Sequence, residues 1–242
     1  MAPHISRLFI NHNLQINNQV TLPSPAAHHI QHVLRARIGD PLILFDGQGG
    51  EYNSKIVSMQ RDKVDVNIVN YDPVNRESAL NIMLGIGILK REAMKYALQK
   101  AAELGVTSIT PIETENTSVT RKQFDKRRQN WLQVIQSACE QSGRTMLPAL
   151  HEVQRFDQWI DLADGDLKLL ASPLAKNSLK QIQSTPESIS VLIGPEGGIS
   201  NEEEQKALDA GFEAASIGRR TLRADTVPAA FLSIIQHRWG DF

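Results

Sequence analysis

The sequence predicts a two-part α/β protein, a small β-barrel followed by an α/β domain with a mostly parallel sheet. Three observations lead there. Before residue 75 apolar residues alternate with polar ones at period two. Beyond residue 80, near-continuous apolar runs alternate with helical patterns, as expected of strands covered on both faces. The change falls at the polar stretch YDPVNRES, 71–78, so the expected domains are 1–74 and 75–242.

In the first part, RLFI and QVTL read as short strands. SPAAHHIQHVLRARIGD reads as one helix, with Ser24 as N-cap, Pro25 at its first position and Gly39 just past its end. PLILFDGQGGEYNSKIV places an Asp-Gly turn between two strands, and KVDVNIV alternates Val64, Val66 and Ile68 against Lys63, Asp65 and Asn67. In the second part, LNIMLGIGIL is a buried strand, and REAMKYALQKAAELG is a helix stopped by Gly105. The strand VTSITPI, a long helix over 122–142, and the strands LKLLAS and SVLIG follow. SNEEEQKALDAG is a helix with a Ser200–Glu203 capping box and a Gly211 stop. A short strand AASIG, a loop and the helix VPAAFLSIIQHRW complete the chain.

A hydrophobic share of 41% with 22% charged residues suits a folded core rather than a disordered chain. Net charge is −1, which excludes a general nucleic-acid coat, but its distribution is uneven. Residues 1–75 carry six basic and six acidic side chains, 76–146 eleven and seven, and 147–242 nine and fourteen. A basic middle suits an anionic partner gripped at one place. The single Cys139 excludes an intrachain disulfide and suggests a reducing compartment. No run approaches the ~20 apolar residues of a membrane span and the N-terminus shows no signal-like apolar stretch. A cytoplasmic protein with no membrane partner is expected.

The stretch VLIGPEGGISNEEE, 191–204, has the strand–glycine loop–helix form of many phosphate cradles. It lacks the Lys-Ser/Thr of a P-loop and the spacing of a dinucleotide turn. Glu202, Glu203 and Glu204 already occupy the helix's first turn, and Glu196 sits in the loop, so a phosphate would meet like charge. Bare backbone at Gly194, Gly197 and Gly198 beside one carboxylate suits a flat ring with hydroxyls, an amine or a cation. The alternative is an ordinary strand-to-helix turn with Glu196 merely solvated. A second strand-end loop, IGRRTLRADTVPAA, 217–230, holds Arg219, Arg220 and Arg223 beside Asp225, with Asp225 or Thr226 as helix cap. These arginines either hold an anionic substrate or pair with Asp225 and the acidic helix. In open α/β sheets ligands sit at the carboxyl ends of strands, where both loops lie.

Weaker signals accompany these. RKQFDKRRQNW, 121–131, reads either as a phosphate-contacting helix through Arg121, Lys122, Lys126, Arg127 and Arg128 or as a solvated basic face. His28, His29 and His32 lack the companions of a metal site, and no metal is expected. Cys139 has no nearby His and reads as packed.

LIGPEGGIS, IGRRTLRADT, KAAELGVTSITPI, ACEQSGR and HHIQHVLRARIGD…LFDG, in order over nearly the whole chain, resemble the RsmE family of 16S ribosomal RNA uridine-N3 methyltransferases. The resemblance implies a PUA-like RNA-binding β-barrel and a SPOUT-type α/β domain ending in a trefoil knot. It further implies a homodimer, S-adenosyl-L-methionine as methyl donor, and 16S rRNA of the small ribosomal subunit as partner. Carried over by position, the cofactor site would be Leu170, Ala171 and Ser172; Gly194, Pro195, Glu196, Gly197 and Gly198; and Ile217, Gly218, Thr221, Leu222, Arg223 and Thr226. RNA contacts would come from Arg7, Arg35, Arg37, Lys90, Arg91, Arg121, Lys122, Arg127, Arg128 and Arg144. The chain departs from the family pattern at Ala93 and Lys95, at Asn116 in place of an arginine, and in LRADT.

Uridine N3–H must lose its proton before N3 can attack a sulfonium methyl group, which calls for positioning and for stabilisation of negative charge. Arg7 and Arg223 are the candidate stabilisers, and Glu196 is either proton acceptor or ligand holder. Two other readings stand: a catalytically silent RNA-binding or ribosome-assembly factor, and a SPOUT methylase acting on another RNA.

Overall fold

The computed structural model describes residues 5–61, 63–119 and 121–242, with the side chain of Arg121 outside the described set. The chain divides into two compact units. Unit 1 comprises the described residues up to Glu77 together with Cys139–Leu147, and unit 2 comprises Ser78–Ala138 and Pro148–Phe242.

Unit 1 holds a five-stranded sheet of β1 (Arg7–Phe9), β2 (Gln19–Thr21), β3 (Pro41–Phe45), β4 (Glu51–Gln60) and β5 (Lys63–Asp72), in the order β1-β3-β4-β5-β2. Only β1 and β3 pair in parallel, with Arg7 opposite Ile43. The alternating residues Val64, Val66 and Ile68 are fully buried against Leu42, Leu44 and Ile56, as period-two patterning requires. Helix α1 (Ser24–His28) continues as a wider turn, His29–Val33, and adds Ala27 and Ile30 to the core. It is shorter than the sequence suggests. Arg35 adopts a left-handed backbone at φ 51, and Ala36 N bonds to Ile30 O, so the chain reverses before Gly39. Pro23, not Ser24, occupies the N-cap position.

Cys139–Leu147 joins unit 1 through hydrogen bonds to strands far away in sequence. Phe9 N donates to Glu140 Oε1 at 2.9 Å, and Arg7 Nη2 donates to Arg144 O at 3.1 Å. Arg76 Nη1 donates to Gly143 O at 3.2 Å and to Glu51 Oε2 at 3.0 Å. Arg144 pairs with Glu77, Nη2 to Oε2 at 2.7 Å, and Glu77 Oε1 in turn accepts from Thr145 N and Met146 N. The ACEQSGR motif thus closes unit 1.

Unit 2 is built on a parallel sheet of β6 (Asn81–Gly87), β7 (Ser108–Glu113), β8 (Ala149–Leu150), β9 (Gln154–Arg155), β10 (Leu167–Ala171), β11 (Ser188–Ile193) and β12 (Glu213–Ala215). Its order is β12-β10-β11-β6-β7-β8, with β9 also on β7. The helices are α2 (Arg91–Glu103), α3 (Arg121–Asp125), α4 (Arg128–Ser142, of which the residues from Cys139 on belong to unit 1), α5 (Phe156–Leu162), α6 (Asn201–Asp209) and α7 (Thr226–Trp239). Met94, Leu98, Ala101 and Ala102 form the buried stripe of α2, and Gly105 ends that helix at φ +78. The helix expected over 122–142 is two helices. Arg127 N bonds to Phe124 O at 2.8 Å, and this tight turn brings the Phe124 and Trp131 rings to 4.1 Å, both buried. Helix α5, not anticipated from the sequence, buries Phe156, Trp159 and Ile160 with Leu170, Leu192 and Phe212. Its i, i+3, i+4 spacing was the available signal. No helix among the described residues is long and apolar enough to cross a membrane.

Candidate cofactor site and RNA-facing residues

The sheet register places Ala171, Ile193, Ala215 and Ile86 side by side, so β10, β11, β12 and β6 end on one edge. Loops leaving the first three ends enclose a cavity of about 260 Å³. Leu170, Ala171 and Ser172, then Gly194, Pro195, Glu196 and Gly198, then Thr221 and Leu222 line it. A smaller cavity of about 60 Å³ takes in Ala171 and Ser172 again, with Ile217 and Gly218. Gly197, Arg223 and Thr226 border neither cavity. Sequence reasoning missed Pro173, Leu174, Asn201, Glu204 and Val227 on the larger cavity and Arg220 and Phe231 on the smaller. Leu174 is 88% exposed at the rim, and a lone exposed leucine in a polar loop was its only signal.

The glycine loop is pinned from several directions. Pro195 lies directly over the end of β6, where a Cβ on Gly87 would come within 2.5 Å of Pro195 Cδ, so only glycine fits there. Gly198, at φ +73, closes a turn by donating its N–H to Pro195 O at 2.9 Å. Glu196 Oε1 accepts from Lys90 N at 2.9 Å, and Asn116 Nδ2 donates to Gly197 O at 3.1 Å and to Gly198 O at 3.3 Å. The capping box forms as expected. Ser200 Oγ accepts from Glu203 N at 3.3 Å while Glu203 Oε2 accepts from Ser200 N at 3.2 Å. Glu203 is also buried and takes Glu115 N on its other oxygen at 2.9 Å.

The arginine loop has the opposite character. Arg219, Arg220 and Arg223 are exposed, and among the described residues none forms an ion pair with Asp225 or the acidic helix. Asp225 holds the N-cap position of α7 with helical backbone angles and no capping bond from its side chain. Arg223 O accepts from Thr226 N and Val227 N, which starts the helix. The cavity therefore combines an apolar floor of Leu170, Ile193 and Val227, bare backbone and the carboxylate of Glu204, with free cations nearby in the chain. Such a site admits a flat ring with hydroxyls or a cation.

The remaining basic residues separate into surface and interior groups. In unit 1, Arg35 and Arg37 are exposed, whereas two expected contacts are committed elsewhere. Arg144 has a side chain only 6% exposed and held by Glu77, so it is not a surface cation. Arg7 meets Glu51 at 3.3 Å, donates to Arg144 O and lies over the Phe45 ring at 5.1 Å. Burial outweighs the attraction of Glu51 and lowers its pKa. Its Nε is buried and has no hydrogen-bond partner among the described residues, so these contacts do not use the whole guanidinium. In unit 2, Lys90, Arg91 and Lys122 are exposed, and Arg127 is half-buried. Arg128 donates to Leu150 O at 2.8 Å and approaches Glu152 at 3.2 Å, which ties it to the strand β8 region. The expected contact at Arg121 lies outside the described side chains.

Residues 76–236 match the RNA methyltransferase domain model, and residues 22–69 match that of an RNA methyltransferase PUA domain. A ribosomal RNA small subunit methyltransferase E from Buchnera aphidicola (subspecies Schizaphis graminum) is 31% identical over 244 residues, covering 100% of this chain and 99% of that protein. A methyltransferase from Legionella pneumophila, solved with the bound cofactor SAM, is 35% identical at a TM-score of 0.94, covering 99% of this chain and 100% of that one. A ribosomal RNA small subunit methyltransferase E from Neisseria gonorrhoeae, solved bound to S-adenosyl methionine, is 34% identical at a TM-score of 0.92, with the same coverage. Similarity that spans both units, and whose domain model reaches across every strand-end loop of the cavity, places this chain in the ribosomal RNA small subunit methyltransferase E family.

Proposed function

We propose that this chain methylates N3 of a uridine in 16S rRNA of the small ribosomal subunit, with S-adenosylmethionine as donor and a homodimer as the working form. The observation that carries this reading is the cavity between the ends of β10 and β11 and the arginine loop, in a chain of this family. A knotted path of the C-terminal loops belongs to the same reading. Along the loops concerned, Ser216 N donates to Asn177 O at 3.0 Å and Leu179 N to Ser216 O at 2.9 Å.

The residues present fit such a donor. Leu170, Ile193 and Val227 offer an apolar floor for a flat base, and Glu204 offers acceptor oxygens for hydroxyls or an amine. At Gly194 an added Cβ would lie 3.0 Å from Ile199 Cγ1, a tight contact that Ile199 would have to yield to. At Gly218, φ +150, a Cβ would find nothing within 4 Å, which leaves that peptide open to the smaller cavity. S-adenosylmethionine supplies a methyl group on a cationic sulfonium.

This chain's residues do the rest by position and charge. The pinned glycine loop and the loop after β10 fix the donor side and keep it from shifting. Once N3 of the uracil has released its proton to water, negative charge spreads to the ring's carbonyl oxygens. Arg223, exposed and without an ion-pair partner among the described residues, is the cation proposed to stabilise it. Glu196, bound to Lys90 N, is proposed as an anchor of the loop rather than the proton acceptor. Arg35 and Arg37 in unit 1, and Lys90, Arg91 and Lys122 in unit 2, are proposed phosphate contacts. Mass mapping of small-subunit RNA from cells with and without this protein tests the proposal. One uridine should lose a base methyl group without it, and purified protein with S-adenosylmethionine should restore that methyl on isolated subunits. An unchanged map would refute the assignment.

A further inference from the structure

We infer that Asn116 is a positioning residue for donor binding, acting through the glycine loop, whose turn it holds in the shape that receives the donor. The inference rests on the cofactor reading of the cavity proposed above. Asn116 follows β7 in a turn that braces itself: Thr114 N donates to Thr117 Oγ1 at 2.9 Å, and Thr117 N to Thr114 O at 3.1 Å. From this platform Asn116 Nδ2 reaches two successive carbonyls, Gly197 O at 3.1 Å and Gly198 O at 3.3 Å. A side-chain amide nitrogen with two hydrogens suits two carbonyl acceptors, and an aspartate would set oxygen against oxygen. Contact is close as well, since a Cβ on Gly197 would lie 2.9 Å from Asn116 Cβ.

The neighbouring anchors leave this job to Asn116. Glu196 fixes the loop's entry on Lys90 N, and Glu203 fixes its exit on Glu115 N. Between them the peptides after Gly197 and Gly198 belong to residues with the widest backbone freedom. Those peptides decide how the wall formed by Pro195, Glu196 and Gly198 faces the cavity. Asn116 lines no part of that cavity, so its effect is indirect.

Calorimetric titration of S-adenosylmethionine, hydrogen exchange and turnover on small subunits test this on wild type, Asn116→Ala and Asn116→Asp. Asp has nearly the shape of Asn, so it removes the donor without removing the packing. Kd and KM for the donor should rise about five-fold in Asn116→Ala and about ten-fold or more in Asn116→Asp. Turnover at saturating donor should stay within about two-fold, and amides 195–199 should exchange faster while those of α2 do not. Donor affinity and exchange unchanged in both variants would overturn the inference alone. Equal loss of turnover and affinity together with a lowered melting temperature would also overturn it, by showing a merely structural role. A wild-type protein that bound no S-adenosylmethionine would instead sink the cofactor reading, and this inference with it.

Discussion

Glu196 and Lys90 meet across 106 positions of sequence, the carboxylate Oε1 taking the backbone N–H of Lys90 at 2.9 Å. Lys90 is the extended residue that caps α2, so the carboxylate stands at the positive end of that helix. A glycine loop with an acid at its centre is thereby a loop with its own tether. Glu196→Gln, which keeps an acceptor oxygen, should change donor affinity less than about three-fold and leave the pH profile of turnover in place. Glu196→Ala should weaken donor binding about ten-fold. Loss of the acidic limb of the profile in Glu196→Gln would show that Glu196 takes the proton.

Arg223 has no counter-ion among the described residues, so its removal should leave stability near wild type. Arg223→Ala should slow single-turnover methyl transfer at saturating donor by about 100-fold, the scale of one lost charge-stabilising group. A rate within about three-fold of wild type would dismiss the role.

Arg144 and Glu77 form a shielded pair at 2.7 Å, with side chains 6% and 14% exposed. Breaking one partner of such a pair strands the other, so Arg144→Ala should destabilise unit 1 by about 3 kcal/mol in urea unfolding. An unchanged midpoint with weakened RNA affinity would return Arg144 to the list of RNA contacts.

Asp166 accepts from Ser188 N at 2.9 Å and Glu187 N at 3.1 Å, at the start of β11. The hydrogen bond of the Ser188 side chain, and then these two backbone bonds, lower its pKa. A carboxylate with a lowered folded pKa adds stability in full above its unfolded value of about 3.9, and that stability fades as pH falls through the folded value. Asp166→Asn should therefore lower the urea midpoint at pH 6, and that difference should be smaller at pH 3. The same difference at both values would show that the charge is not responsible.

Burial pushes the Cys139 thiol up to about 11. At pH 8 it should react with a thiol-specific reagent about 100-fold more slowly in the folded protein than in urea. Comparable rates in the two states would show that the segment opens readily.

Much of the fold was legible because its causes are local. Val64, Val66 and Ile68 alternate, Ser200 and Glu203 cap each other, and Gly105 stops a helix, so neighbouring residues suffice to read each feature. The places where local reading fell short answer to distant partners. The reversal at Arg35, the break before Arg128 that lets Phe124 reach Trp131, and the short helix carrying Trp159 follow from what each side chain packs against. The site shows the same division. Gly194 to Gly198 stand out in sequence, whereas the hold of Asn116 and Lys90 on them spans 82 and 106 positions and leaves no local trace. Nothing nearby in sequence announces Glu51 or Glu77 as the partners of Arg7 and Arg144.

Unit 1 is discontinuous in the chain, since Glu140, Gly143 and Arg144 supply bonds that its strands lack without them. On a translating ribosome the first 77 residues would emerge and wait for about 70 more before Phe9 N and Arg7 find those partners. At roughly 5–20 residues per second that is a delay of several seconds, with the first sheet exposed and incompletely bonded. For the same reason a gene fragment cut at the apparent domain border would yield an unfinished module.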